Sequence, residues 1–180
     1  MNIICFGDSN TWGYDPRSYF GSRYPAESRW PEVLGKKTGW NVLNWGCNGQ
    51  EIPRETICFP DQTDILIIML GTNDLLQGAD AQETADKMKA FLETIKLPRE
   101  CVVLICPPAL LYGEWVTENR VLLESEKLKA SYCKISEQLG IFYDAATDWN
   151  IPLCYDGVHF TPEGHIRFAD KIERLIIKSM

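Results

Sequence analysis

The chain has 180 residues, 45% of them apolar and 24% charged, with a formal net charge of -7 from 18 basic and 25 acidic side chains. That length buries one hydrophobic core without staples, so residues 1–180 are read as a single domain. The acidic balance has the wrong sign for a broad phosphate-binding face, which excludes nucleic acid as a partner, and the longest strongly apolar run, residues 65–70, falls far short of the roughly 20 residues that cross a bilayer.

Residues 3–6 open the chain as a short apolar run, predicted to be the first strand, and run straight into the polar Gly7-Asp8-Ser9-Asn10. This start lacks the basic region, long apolar stretch and small-residue cleavage site of a signal peptide, so the chain is read as cytoplasmic. Residues 13–29 are irregular; residues 31–38, closed by Gly39, carry helical signals, and residues 40–44 form a second strand leading into Asn44-Trp45-Gly46-Cys47-Asn48-Gly49. After a second irregular stretch, 48–63, a third strand at 65–70 ends in Gly71-Thr72-Asn73-Asp74. A helix over 81–95 follows, opened by a capping box between Asp80 and Glu83. The fourth strand is 102–106, the next helix lies within 117–139 ahead of Gly140, and the fifth strand is 141–144. The last helix starts from Thr161 as N-cap with Pro162 in its first turn, and its apolar positions are Ile166, Ala169, Ile172, Leu175 and Ile176.

Five short strands, apolar on both faces and alternating with helices, predict right-handed crossovers and a parallel sheet covered on both sides, a three-layer α/β/α sandwich. The seven cysteines are odd in number, dispersed and without a C-x-x-C pair, which suits reduced thiols rather than a disulfide framework. With two histidines and no cysteine cluster there is little to build a zinc site from, so no metal is assigned.

In such a sheet, sites form from the loops beyond the carboxyl ends of the strands. Ser9, Gly46 and Asn73 lie just past the first three strands, and Asp156-Gly157-Val158-His159, in the loop before the last helix, can reach the same edge. These are the parts of an acyl-transfer site. A serine hydroxyl needs a base within hydrogen-bond reach, which His159 supplies, and Asp156 orients the imidazole and stabilises its charged form. The backbone N–H groups of Ser9 and Gly46 and the side-chain amide of Asn73 are the candidate donors to the oxyanion. His165 falls in the first turn of the last helix, where a structural or surface role is expected.

The blocks Phe6-Gly7-Asp8-Ser9, Asn44-Trp45-Gly46-Cys47-Asn48-Gly49, Gly71-Thr72-Asn73-Asp74 and Asp156-Gly157-Val158-His159, in that order, resemble those of the SGNH hydrolases, also called GDSL esterases and lipases. The resemblance implies a flavodoxin-like, five-stranded parallel sheet, Ser9 as nucleophile, His159 and Asp156 completing the triad, and Gly46 and Asn73 completing the oxyanion hole. No Gly-x-Ser-x-Gly elbow is present, unlike the α/β-hydrolases. Residues 5–13 and 67–74, the Cys106-Pro107-Pro108 turn and residues 156–161 look like a subgroup of arylesterases and carbohydrate acetylesterases. Members of that subgroup hydrolyse short acyl esters, and several assemble as tetramers or octamers, so a small-molecule ester substrate and a homo-oligomer are what the resemblance implies here.

Trp12, Trp45, Pro107 and Phe160 flank the catalytic blocks and are candidate walls of a small acyl pocket. Serine acyl transfer draws its groups from the protein, so no cofactor is assigned. A thioesterase, a lysophospholipase or a sugar deacetylase on the same residues stays open, because specificity lies in residues 13–29 and 48–63. A flavin- or phosphate-binding module is the remaining alternative on this fold.

Overall fold

The computed structural model describes residues 1–179. Five strands, β1 (Asn2–Gly7), β2 (Asn41–Gly46), β3 (Ile65–Met69), β4 (Val102–Cys106) and β5 (Phe142–Ala145), form one all-parallel sheet in the order β2-β1-β3-β4-β5. Among the described residues six α-helices accompany it: α1 (Ser9–Trp12), α2 (Trp30–Thr38), α3 (Thr72–Leu76), α4 (Ala81–Thr94), α5 (Asn119–Leu139) and α6 (Pro162–Ser179). This is the expected three-layer α/β/α sandwich with flavodoxin-like strand order.

Alternation along the central strands divides the core into two layers. Ile4, Phe6, Leu66, Ile68, Leu104 and Cys106 point to one face, where Met88 and Phe91 of α4 and Leu128 and Tyr132 of α5 cover them. Ile3, Cys5, Ile67, Met69, Val103 and Ile105 point to the other, against Trp30 and Leu34 of α2 and Phe168 and Ile172 of α6. Burial on both faces is thus a property of β1, β3 and β4. The edge strand β2 instead alternates between exposed and half-buried positions, and it starts and ends later than expected because Trp45 pairs with Phe6 and Gly46 with Gly7.

Helix ends follow local chemistry. The Asp80 side chain accepts from the Glu83 N–H while the Glu83 side chain takes the Asp80 N–H, which is the anticipated capping box. Thr161 Oγ1 accepts the Gly164 N–H at 3.0 Å and so caps α6. The buried stripe of α6 runs through His165, Phe168, Ala169, Ile172 and Ile176; Ile166, expected on it, is turned to solvent.

Register decides where a site can form. Gly7 at the end of β1 lies beside Gly46 of β2 and beside Met69 of β3, so the chain leaves all three strands at one level. The strand order reverses direction at β1 and β3, and crevices outside the carboxyl ends of strands open at such switch points.

Candidate active site

Ser9 is the first residue of α1. Asp8 precedes it as N-cap, its Oδ1 accepting the Asn10 N–H at 2.9 Å. Four residues are too few to leave a periodic signal, which is why the sequence shows a turn here rather than a helix. As the first helical residue, Ser9 has a backbone N–H with no partner inside the helix.

Asp8 itself is buried, and its Oδ2 makes no hydrogen bond among the described residues. Burial pushes its carboxyl up from 3.8 to about 6, against the opposing influence of the Asn10 N–H, the His159 imidazole and the nearby Thr72 hydroxyl. The folded chain therefore holds the Asp8 proton more tightly than the unfolded chain, and stability is lost as pH rises between about 4 and 6. Asp8→Asn keeps a capping oxygen and removes the charge. Its thermal unfolding midpoint should exceed wild type above about pH 6, with the gain vanishing below about pH 4.

The candidate base, His159, arrives from the other end of the chain. Cys154 N–H donates to the His159 carbonyl, Leu153 bridges Phe160, and Gly157 takes a left-handed conformation at φ 81°, closing a tight turn before α6. Within it Asp156 Oδ1 accepts the N–H groups of Val158 and His159, both at 3.0 Å. Asp156 Oδ2 meets His159 Nδ1 at 2.6 Å, and His159 Nε2 meets Ser9 Oγ at 2.9 Å. All three side chains are buried. Burial would raise the Asp156 carboxyl, but the His159 ring and the two backbone donors outweigh it and hold it below the usual carboxylate range. An ionised carboxylate on Nδ1 leaves Nε2 free to accept the serine proton.

The second and third loops differ from expectation in one respect. Gly46 N–H already donates to Asn44 Oδ1 at 2.9 Å, so the structure does not present it as a free donor. Its need for glycine is steric, because a Cβ there would lie 2.1 Å from the Trp12 nitrogen, so the end of β2 rests directly on α1. Three residues on, Gly49 adopts φ 74° and its N–H makes no hydrogen bond among the described residues. Asn73, in α3, donates from Nδ2 to the Gln50 carbonyl at 3.0 Å, which brings its amide to this same turn. A primary amide has two N–H donors, and one remains. Asp74 is buried and accepts from Ile52 N–H at 3.1 Å and Lys87 Nζ at 3.0 Å, pinning the segment after Gly49 to α3.

The aromatic surroundings were only partly legible. Phe160, expected in a pocket wall, is fully buried against His165 and Phe168, so it belongs to the core under α6. Trp45 stacks on Phe59, Trp12 lies beneath the Arg23 guanidinium, and Pro107 offers its carbonyl to Thr147. The rings nearest the imidazole are instead Tyr14, at 4.5 Å between centroids, and Trp115, at 4.9 Å. Tyr14 begins the hairpin closed by its bridge to Arg23, and Trp115 sits in the loop after β4, which opens on the same sheet edge as the other blocks. That position was the available signal for Trp115. His165 is buried rather than on the surface; burial, with the His159 and Arg29 charges adding, pushes its imidazole down to about 3.

The sheet order and flanking helices are those of the SGNH hydrolase fold. The GDSL-like lipase/acylhydrolase family model matches residues 5–167, and the chain belongs to that family and is a carboxylic ester hydrolase. Among solved structures, the native aryl esterase of M. smegmatis shares 20% identity over 99% of both chains with a TM-score of 0.84. Est24, a carbohydrate acetylesterase from Sinorhizobium meliloti, shares 24% over 97% of this chain and 99% of its own, with a TM-score of 0.77. A member of the lipolytic protein G-D-S-L family from Veillonella parvula DSM 2008 shares 22% over 99% of each chain, with a TM-score of 0.75. Similarity at this level of identity establishes the fold. None of the curated proteins compared with the chain matches it. Among the described residues no helix is long and apolar enough to cross a membrane.

Proposed function

We propose that the protein hydrolyses short-chain acyl or aryl esters through Ser9, His159 and Asp156. The observation that carries this reading is the unbroken chain from Ser9 Oγ to His159 Nε2 at 2.9 Å and from His159 Nδ1 to Asp156 Oδ2 at 2.6 Å. Ser9 Oγ attacks the ester carbonyl carbon as its proton passes to Nε2. The resulting oxyanion takes hydrogen bonds from the Ser9 N–H, the remaining N–H of Asn73 Nδ2 and the Gly49 N–H, with Gly49 replacing Gly46 in that role. Collapse breaks the bond to the alcohol, which leaves with the proton from His159. Water then attacks the acyl-enzyme, gives its proton to the same nitrogen, and the acid departs as Ser9 Oγ recovers a proton.

Short acyl groups are favoured because Tyr14 and Trp115 crowd the imidazole, and because relatives of this fold include an aryl esterase and a carbohydrate acetylesterase. A series of p-nitrophenyl esters of rising chain length, assayed beside acetylated sugars and thioesters, should show fastest turnover on acetate or butyrate. A clear preference for long chains would contradict the crowding argument. The reading also places the enzyme, as one domain, in the cytoplasm, with its seven cysteines as free thiols. Self-association as a tetramer or octamer is the accompanying proposal, supported by Tyr19 and Phe20, which stand 93% and 89% exposed at the tip of the 13–29 hairpin. Sedimentation of the purified chain measures it.

A further inference from the structure

We propose that Asn10 is a positioning residue that holds His159 in register with Ser9. The proposal rests on the reading of Ser9 and His159 as nucleophile and base, and it concerns how the two ends of the chain are kept together.

A carboxamide offers an acceptor and a donor in one uncharged group. Asn10 uses both on the peptide bonds that flank His159. Its Oδ1 accepts the Phe160 N–H at 2.8 Å, and its Nδ2 donates to the Val158 carbonyl at 3.1 Å. The first of those groups belongs to the peptide bond following His159 and the second to the one preceding it. The imidazole therefore hangs from a segment gripped on both sides by the residue next to the nucleophile. Asn10 is only 3% exposed, and its own N–H is held by Asp8 Oδ1 at 2.9 Å, so the grip is itself anchored to the cap of α1.

Among the described residues, the other hydrogen bond between α1 and this turn is the Ser9–His159 contact itself. The remaining ties of the turn run elsewhere. The His159 carbonyl accepts from Cys154, its N–H goes to Asp156, and Leu153 bridges Phe160. These fix the shape of the turn, and its outer ties run to the loop after β4, where the Leu111, Glu114 and Trp115 N–H groups donate to the Gly157, Tyr155 and Asp156 carbonyls, and to the Pro16 carbonyl, which accepts from Tyr155 Oη. Apart from their own contact, the shortest hydrogen-bonded path from Ser9 to the peptide bonds flanking His159 thus runs through Asn10.

Satisfying two buried backbone groups is also a structural service, and a double-mutant cycle separates the two roles. Positioning acts through the imidazole and disappears when the imidazole is gone; a structural contribution does not. Asn10→Ala, His159→Ala and the double variant are compared in the full chain on p-nitrophenyl acetate. Misplacing a catalytic group by about 1 Å costs roughly 100-fold, so Asn10→Ala should lower kcat by about that factor with KM little changed. In the His159→Ala background the same substitution should change turnover by less than about threefold. An Asn10→Ala kcat close to wild type, or an equal loss in both backgrounds, overturns the proposal.

Circular dichroism checks each variant. If Asn10→Ala is not folded, Asn10→Asp is read in its place, since it keeps an oxygen for Phe160 N–H and loses the donor to Val158. Loss of the folded spectrum in both would make Asn10 structural and overturn the proposal. Labelling of Ser9 by a fluorophosphonate in the wild-type chain keeps the two readings apart. A chain labelled at Ser9 with Asn10→Ala fully active sinks the positioning role alone, whereas an unlabelled wild type sinks the nucleophile assignment and this inference with it.

Discussion

Replacing Ser9 by alanine should lower kcat on p-nitrophenyl acetate by roughly four to six orders of magnitude while leaving the thermal midpoint nearly unchanged. Activity should collapse because no neighbouring group can substitute. Among the described residues Thr11 Oγ1 is buried without a hydrogen bond, and the exposed Cys47 directs its thiol at the Asn48 carbonyl, so neither is paired with an imidazole. Stability should hold because the Ser9 hydroxyl makes one hydrogen bond, to His159, and a typical net contribution is about 1 kcal/mol. The residue of catalysis above the water reaction, about three to four orders of magnitude for an oxyanion site and binding alone, should persist in the variant. Cys47→Ala is the control. If that substitution abolished turnover while Ser9→Ala did not, the nucleophile would be the thiol.

Much of this arrangement is readable from the amino-acid sequence, for identifiable reasons. Alternating apolar strands and helices specify a covered parallel sheet, and a parallel sheet puts every strand's carboxyl end on one edge, so Ser9, Asn73 and His159 could be brought together by position alone. What sequence could not supply was the use to which each polar atom is put. Gly46 and Gly49 sit in one turn with equal claims on an oxyanion. Only the hydrogen bond from Gly46 N–H to Asn44 Oδ1 and the contact between Gly46 and Trp12 distinguish them. Phe160 follows His159 directly, yet in the extended stretch around the Leu153 bridge successive side chains face opposite ways, so the ring enters the core while the imidazole faces Ser9. Tyr14 and Trp115 come from loops without periodicity, whose paths depend on distant contacts such as Tyr155 Oη donating to the Pro16 carbonyl. Asn10 was hidden for the same reason, as its partners lie 148 and 150 residues away.

His159→Ala should match Ser9→Ala in its loss of kcat, and the two changes together should cost little more than either alone, because in the proposed mechanism the hydroxyl and the imidazole act as one unit. His165→Ala tests the assignment between the two histidines. His165 Nδ1 accepts the Trp30 N–H at 3.4 Å, its Nε2 is buried without a partner among the described residues, and it packs edge-on against Tyr24 and Phe160. Its removal opens a cavity beneath α6, so it should lower stability by about 2 kcal/mol or more and leave turnover of the folded fraction intact. Asp156→Asn probes the third member of the proposed triad. The carboxamide keeps the shape but can present N–H to His159 Nδ1, which selects the tautomer with its proton on Nε2 and blocks acceptance from Ser9; about four orders of magnitude in kcat should be lost. Since the Asp156 carboxyl is held below the usual range, it stays ionised at every pH above that range. Its contribution to stability is present above the unfolded carboxyl value and is lost only as pH falls through the lower folded value. Wild type and Asp156→Asn should therefore converge in thermal midpoint in strong acid and diverge toward neutral pH. Midpoints that stayed equally far apart in strong acid would mean that the carboxylate is not what its three donors hold in place.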